Sequence, residues 1–348
     1  MVDISFEILS ELTRLPGLPG REHLVASFIQ KCLPKVKWQL HIDALGNLIA
    51  HFPGEGKRVM IMAHMDEVGL IVNRITPDGY LKVERMGGMG IDALPGNRLE
   101  LWTSQGCYPA QVGVLPYHLN NQASLDMASI YVDIGCRSQA EVVKMEVQVG
   151  DGLTWASSLQ KLPNHRLSGK ALDDRLGCLL LITLAQELID HPSACDLIFA
   201  FVVQEETMLM GGLPVVQTWQ PDIVIGIDGT LTFDTPDLNN QQCELVLGKG
   251  PALKLMDVLR GRQVSYVPNR ELVQKIRSIA QDQSIPLQNE VIVGLSTALS
   301  PVPYASHGLA TAALSLPIRY HHSPNEMVDL IDAEYLVQLL VALLQEAL

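Results

Sequence analysis

The spacing of apolar residues predicts helices followed by short strands near the start of the chain. Apolar positions recur at helical spacing over residues 3–14 and 22–33, and each stretch stops at a proline. Three short apolar runs between turn residues, which are typical of strands, follow at residues 38–43, 47–51 and 58–63. Helices beside short strands indicate an α/β domain.

Between residues 70 and 165 the pattern changes to short strands separated by glycines and prolines, without a long helical stretch. The predicted strands cover residues 70–75, 81–84, 98–102, 111–115 and 130–133. This pattern indicates a small β-rich unit.

After residue 165 helices and buried strands alternate again. Helical spacing covers residues 173–189, 272–281 and 332–348, and Asp332 is the expected N-cap of the last helix. Continuous apolar runs, typical of strands buried on both faces, cover residues 196–204, 222–227 and 309–315. We therefore predict an α/β domain made of residues 1–69 and 166–348 and interrupted by a β-rich domain at residues 70–165.

Composition narrows the class of protein. The 348 residues are 47% hydrophobic and 18% charged, which is enough apolar material for a packed core. The 25 basic and 38 acidic residues give a net charge of −13, without a basic stripe, so we expect no nucleic-acid partner.

The 6 cysteines form no Cys-x-x-Cys pair, which favours free thiols in a reducing compartment. Because neither a signal peptide nor an apolar run of membrane-spanning length is present, we expect a cytoplasmic protein without a membrane partner.

Acidic and imidazole side chains fall at the ends of the predicted strands or in the loops that follow. They are His64 and Asp66, Asp173 and Asp174, Glu205 and Glu206, Asp228, and His321 and His322. Sites in open α/β sheets assemble at the carboxyl ends of strands. A single carboxylate there is more often a loop residue or a helix cap. Adjacent carboxylates beside apolar runs, however, repel each other and are costly to bury without a cation, so the set predicts a metal site.

The ligand types suit several metals. Carboxylate oxygen and imidazole nitrogen bind zinc, cobalt and manganese alike. Two neighbouring cations need a shared anionic ligand because they repel each other. Hydrolysis also needs a base that is not itself tied to a metal. The pair Glu205-Glu206 can supply one ligand and one base.

Six segments resemble, in the same order, those of the tetrahedral dodecameric aminopeptidases. This family includes glutamyl and deblocking aminopeptidases, and some of its members carry a cellulase M label. The segments are Asp43-Ala44-Leu45-Gly46-Asn47, His64-Met65-Asp66-Glu67-Val68-Gly69, residues 169–175, Gln204-Glu205-Glu206, Asp228-Gly229-Thr230 and residues 319–324. The resemblance implies a mixed sheet flanked by helices, as in zinc exopeptidases, with an inserted small β-barrel-like domain.

The resemblance also implies a site for two divalent metal ions per subunit. Zinc and cobalt are the first candidates, and manganese is the third. One ion would be held by His64, Asp173 and Asp228, and the other by Asp173, Glu206 and His322, with Asp173 as the bridge.

Two further roles follow from the same resemblance. Glu205 would be the general base, and Asp66 would fix the tautomer of His64 through a hydrogen bond. Asp174 competes with Asp173 as the bridging ligand. The peptide bond between these two residues is expected to be cis. His321 competes with His322, and the Ser323-Pro324 that follows favours His322.

The implied activity is hydrolysis of N-terminal residues from short peptides by a water held between two metal ions. Relatives assemble from dimers into a hollow twelve-subunit tetrahedron, so we expect self-association into a dodecamer. Residues 294–299 lack the aspartate of the family's Gly-Thr-Asp-Ala segment, which keeps a second hypothesis open, a catalytically inactive assembly protein that binds metal. An endoglucanase would need sugar-stacking aromatics, which make up only 5% here, and would leave the histidines unexplained.

Overall fold

The protein consists of helices and strands that alternate along most of the chain. The computed structural model describes residues 4–119, 125–209, 211–238, 243–259, 261, 264–305 and 308–346. The strands are β1 (Gln39–Ile42), β2 (Leu48–Phe52), β3 (Arg58–His64), β4 (Gly69–Ile75), β5 (Leu81–Met86), β6 (Arg98–Thr103), β7 (Gly106–Val112), β8 (Val132–Asp133), β9 (Gly152–Trp155), β10 (Gln160–Leu162), β11 (Arg166–Gly169), β12 (Asp196–Val202), β13 (Ile223–Leu231), β14 (Ala252–Leu259), β15 (Val264–Tyr266), β16 (Gln288–Val293), β17 (Ala310–Ile318) and β18 (Glu326–Asp329). The helices are α1 (Phe6–Arg14), α2 (His23–Cys32), α3 (Gln139–Lys144), α4 (Leu172–Asp190), α5 (Glu205–Met208), α6 (Gly212–Trp219), α7 (Arg270–Asp282) and α8 (Leu330–Gln345).

A large mixed sheet forms the centre of the molecule, in the order β1-β2-β12-β3-β13-β17-β14-β15, with β16 paired to β14. Strands β12, β3, β13 and β17 run parallel, so their carboxyl ends meet at one edge. His64 ends β3 opposite Val202 of β12, and Asp228 lies near the end of β13. Every residue of β12 is buried, as its continuous apolar run predicted.

Helices cover both faces of this sheet. On one face α1, α2, α4, α7 and α8 share a core with the sheet, represented by Leu12, Ile29, Leu180, Ile276 and Leu340. On the other face α6 and the segment at residues 298–305 pack against a second cluster. The resulting layers confirm the predicted class of a mixed sheet flanked by helices.

A small closed barrel is inserted between β3 and α4, with its strands in the order β4-β5-β8-β7-β6-β9. It has a core of its own, which includes Leu70, Leu81, Leu101, Val132 and Trp155. After the barrel, β10 and β11 pair with β18 in a separate small sheet. The barrel confirms the predicted insertion, and the domain boundaries at residues 69/70 and 165/166 stay a prediction.

Two local predictions are wrong. The last helix is capped by Asp329, whose carboxylate accepts the N–H of Ile331 at 3.1 Å, because β18 leads directly into α8. Asp332 instead accepts the N–H groups of Gly248 and Gly250. The strand predicted at residues 111–115 is β7, which begins earlier because it pairs with β6 from Gly106. Residues 3, 347 and 348, at the ends of predicted helices, lie outside the described residues.

A buried ion cluster lies between the start of the barrel and the start of α4. Lys170 Nζ lies 2.6 Å from Glu67 Oε2, and Arg175 Nη2 lies 3.5 Å from Glu67 Oε1. The N–H of Gly17 also donates to Glu67 at 3.1 Å. All three charged side chains are buried. Removal of one partner from such a cluster leaves a charge without compensation in the interior.

We predict that Lys170→Met lowers the free energy of unfolding by about 3 kcal/mol, because the Glu67 carboxylate loses its nearest cation. Urea denaturation followed by circular dichroism measures the change. The matched control is Lys57→Met, since Lys57 is exposed and should tolerate the same substitution. Equal unfolding midpoints for the two variants would contradict the prediction.

Candidate metal centre

A cavity of about 700 Å³ opens at the carboxyl edge of the parallel strands. The predicted site residues Asp173, Glu205, Glu206, Asp228 and His322 line it, together with His321. Two glycines from the loop after β5, Gly87 and Gly88, form part of the wall, so the barrel also contributes to the cavity. The structure therefore brings together side chains that are far apart in sequence.

Asp173 lies at the centre of the cluster. Its Oδ1 lies 3.3 Å from His64 Nε2, while its Oδ2 lies 2.7 Å from His321 Nε2 and 3.3 Å from His322 Nε2. Burial opposes ionisation, yet His321, His322 and His64 together hold the pKa of Asp173 well below its usual range. An ionised carboxylate with imidazoles on both oxygens is suited to bridge two cations.

The side chain of Asp174 contacts backbone amides, whereas that of Asp173 contacts imidazoles, and both residues are buried. Its Oδ2 accepts the backbone N–H of His64 at 3.2 Å, and its Oδ1 accepts that of Gly177 at 3.0 Å. The peptide bond between Asp173 and Asp174 is cis, as the family resemblance implied. The geometry thus favours Asp173 over Asp174 as the ligand.

His64 joins Asp173 to Asp228 on one side of the cluster. His64 Nε2 lies 3.7 Å from Asp228 Oδ1, and the N–H of Gly229 donates to that same oxygen at 2.8 Å. Burial raises the pKa of Asp228 to about 7. A nearby cation lowers such a pKa and stabilises the ionised carboxylate.

Glu206 and the histidine pair lie on the other side. His322 Nε2 lies 3.3 Å from Glu206 Oε2, and donor atoms of His64, Asp173 and Glu206 all lie within 4.8 Å of one another. Glu206 Oε1 is buried and has no hydrogen-bond partner among the described residues. His321 stacks on His322 with ring centroids 4.1 Å apart and also approaches Asp173. His322 is thus within reach of both Asp173 and Glu206, which favours it as the ligand.

Asp66 holds the start of α5. Its Oδ1 accepts the N–H of Glu205 and its Oδ2 accepts that of Glu206, each at 3.0 Å. The expected contact with His64 is longer, since Nδ1 lies 3.5 Å from Asp66 Oδ1 and 3.2 Å from the main-chain oxygen of Asp66. The main function of this carboxylate in the structure is to position Glu205 and Glu206.

Glu205 is buried beside the cluster and lines the cavity. Burial is the main reason why the pKa of Glu205 lies well above its usual range, and the charge of Asp228 is the second reason. A carboxylate with a raised pKa binds a proton more readily near neutral pH, as a general base must.

Sequence reasoning missed Glu326, which lies in β18 and is buried. Its Oε2 accepts the N–H of Asp173 at 3.1 Å, and its Oε1 accepts the N–H of His322 at 2.8 Å. Burial raises its pKa to about 8, and the charge of Asp173 adds to the effect. The only signal in the sequence was its position four residues after His322.

A carboxylate–histidine cluster at the carboxyl edge of a mixed sheet defines the class of α/β enzymes that hold divalent cations. Comparison with known proteins identifies the family. Residues 46–339 match the family described as M42 glutamyl aminopeptidase, so the chain belongs to peptidase family M42. The aminopeptidase activity predicted from the sequence is the activity of this family.

Individual relatives align with nearly the whole chain, in sequence or in structure. The lysyl aminopeptidase of Pyrococcus furiosus is 35% identical, over 99% of this chain and 97% of its own. An aminopeptidase structure from the archaeon Desulfurococcus kamchatkensis superposes with a TM-score of 0.93 at 31% identity, over 98% of this chain and 94% of its own. The TET1 peptidase of Pyrococcus horikoshii, which can assemble into a tetrahedron or a large octahedral shell, has a TM-score of 0.87 at 31% identity, over 98% and 99% of the two chains.

The family implies divalent metal ions, and the residues present fit them. Histidine nitrogens and carboxylate oxygens converge within coordination reach, and Glu206 presents a buried oxygen without a partner in the described chain. Two overlapping groups, one with His64 and Glu206 and one with His321 and His322, share Asp173.

We predict that Asp66→Asn weakens zinc binding by about 10- to 100-fold, as loss of a group that orients ligands typically does. The amide nitrogen of asparagine cannot accept a hydrogen bond, so the N–H of Glu205 or Glu206 loses its partner. Isothermal titration of metal-stripped protein with zinc measures the affinity. Asp78→Asn is the control, because Asp78 is exposed. An affinity equal to that of the control would refute the positioning function of Asp66.

Proposed function

We propose that the protein is a dinuclear metallo-aminopeptidase that hydrolyses N-terminal residues from short peptides. The single observation that carries the proposal is the position of Asp173, whose two carboxylate oxygens face different groups. Oδ1 faces His64, which also approaches Asp228, and Oδ2 faces His322, which also approaches Glu206. This arrangement supports a proposal in which each oxygen of Asp173 binds a different ion.

In this proposal His64, Asp173 and Asp228 hold one ion, and Asp173, Glu206 and His322 hold the other. Zinc and cobalt are the first candidates, as the family resemblance implies, and manganese is the third, since the ligand types accept all three. When bound, the two ions polarise the scissile carbonyl and make the attacking water more acidic.

Glu205 performs the proton transfers. Its carboxylate takes a proton from the attacking water and delivers it to the nitrogen of the leaving peptide. Its raised pKa favours transient protonation, and Asp66 fixes its backbone through a 3.0 Å hydrogen bond. Glu205 and Glu206 are adjacent, and in this proposal only Glu206 is a metal ligand, so Glu205 keeps its basicity.

Two properties of the whole protein belong to the same proposal. By analogy with the P. horikoshii TET1 peptidase, we propose that the chain assembles into a closed homo-oligomer, with a dodecamer built from dimers as the expected form. The cytoplasmic location stays a prediction that rests on the six free cysteines. No described helix is long and apolar enough to cross a membrane.

The proposal predicts that stripping the metal abolishes release of N-terminal residues and that zinc or cobalt restores it. The test uses short peptides with free and acetylated amino termini, and mass spectrometry follows each product. Glu205→Gln should lower kcat by about 10²- to 10⁴-fold and leave zinc affinity within a few fold, since it removes the base and no ligand.

The matched control is Glu55→Gln at an exposed position, which should retain full activity. If zinc binds at two sites and no peptide is cut, the inactive assembly hypothesis is preferred. If Glu205→Gln is as active as Glu55→Gln, the proposed base is wrong. Cleavage of a β-glucan in place of peptides would favour the endoglucanase hypothesis.

A further inference from the structure

We propose that leucines in the cavity form the pocket for the substrate's first side chain, and that the enzyme prefers apolar N-terminal residues of leucine or methionine size. This inference rests on the aminopeptidase activity proposed above. Four leucines line the cavity, and we call them the leucine wall: Leu209, Leu231, Leu259 and Leu295.

The leucine wall is built from several elements that converge on the cavity. Leu209 directly follows α5, three residues after Glu206, and Leu231 ends β13, three residues after Asp228. Leu259 ends β14, and Leu295 follows β16. All are only half-buried, so each keeps apolar surface open to the cavity.

The leucine wall begins near the metal centre. Three residues of extended strand span about 10 Å, so Leu231 lies about that far along β13 from the candidate ligand Asp228, and both line the same cavity. A peptide held with its first carbonyl at the metals can therefore place its first side chain against the wall.

A small core supports the wall. Leu231 and Leu295 pack against the buried cluster of Phe233, Leu245, Ala252 and Ile292. Apolar residues on a packed support form a preformed surface, which favours shape-selective binding of an apolar group. Leu231 and Leu295 are therefore the supported part of the leucine wall.

The charged side chains of the cavity belong to the metal centre or to the barrel side, not to the leucine wall. Among the described lining residues, the carboxylates all belong to the metal centre. Arg85 is the remaining full charge, and it lies on the barrel side, where its Nη1 donates to the main-chain oxygen of Met89 at 2.7 Å. A lysine or glutamate side chain against the leucines would lose water without gaining a partner. Apolar side chains meet no such penalty.

The test measures kcat/KM of the metal-restored enzyme for p-nitroanilides of leucine, methionine, alanine, glutamate and lysine. We expect leucine and methionine to exceed alanine by at least about tenfold, since each methylene in an apolar pocket contributes roughly that factor. Glutamate and lysine should be slower than leucine by at least as much.

Variants then assign the preference to the wall. Leu259→Asp should reduce the leucine-to-lysine ratio of kcat/KM by at least about tenfold, because an apolar side chain would remove water from the new carboxylate, whereas a lysine ammonium would pair with it. Leu231→Ala should shift the preference from leucine towards phenylalanine by enlarging the pocket. The control Leu40→Asp, on the exposed edge strand β1, should keep the wild-type ratio. Circular dichroism verifies that each variant is folded.

The possible outcomes separate the two proposals. If the glutamate substrate is cleaved fastest, Arg85 binds the first side chain of the substrate. If the lysine substrate is cleaved fastest, the carboxylates bind it. Either result overturns the proposal that the leucine wall binds the first side chain, and leaves the aminopeptidase proposal intact. A folded Leu259→Asp with an unchanged ratio, beside a folded Leu231→Ala with an unchanged preference, also overturns it. Cleavage of no substrate with any metal overturns both.

Discussion

The candidate site depends on one buried carboxylate that faces imidazoles on both of its oxygens. Asp173 is 4% exposed, and an isolated ionised carboxylate at that depth would be unstable. The nearby imidazoles of His64, His321 and His322 outweigh the effect of burial and keep the pKa of Asp173 low. Burial raises the pKa of Glu205 and of Asp228, and the charges of neighbouring carboxylates add to the effect. The site thus combines an ionised Asp173, which suits a shared ligand, with a Glu205 that binds a proton readily, which suits a base.

Other carboxylates hold the backbone on which these side chains stand. Asp66 binds the amides of Glu205 and Glu206, Asp174 binds the amide of His64, and Glu326 binds the amides of Asp173 and His322. Apart from the contact between Glu326 and His322, these contacts join segments far apart in the chain, so the backbone of His64, Asp173 and Glu206 is held by an element other than its own. Such anchoring matters because small displacements of ligands or of a base reduce activity strongly.

The sequence predicted well what depends on local pattern. The buried strands that end at His64 and near Asp228, and the long helix after Asp173, follow from continuous apolar runs and helical spacing. Features that depend on distant contacts were missed. Asp332 resembles a cap, yet Asp329 takes that position because β18 joins α8 directly. Glu326 is recognisable only once β18 brings it beside Asp173 and His322. The leucine wall likewise combines ends of elements that no local pattern relates.

If Asp173 is shared by two metal ions, its loss should empty both positions, so the number of bound ions shows whether it is the bridge. Metal-stripped protein is titrated with zinc, and bound zinc per chain is measured by elemental analysis for the wild type and for Asp173→Asn. We expect two zinc ions per wild-type chain and fewer than one for Asp173→Asn, because loss of the shared carboxylate weakens both sites. One ion per wild-type chain, or two retained by Asp173→Asn, would contradict a shared Asp173.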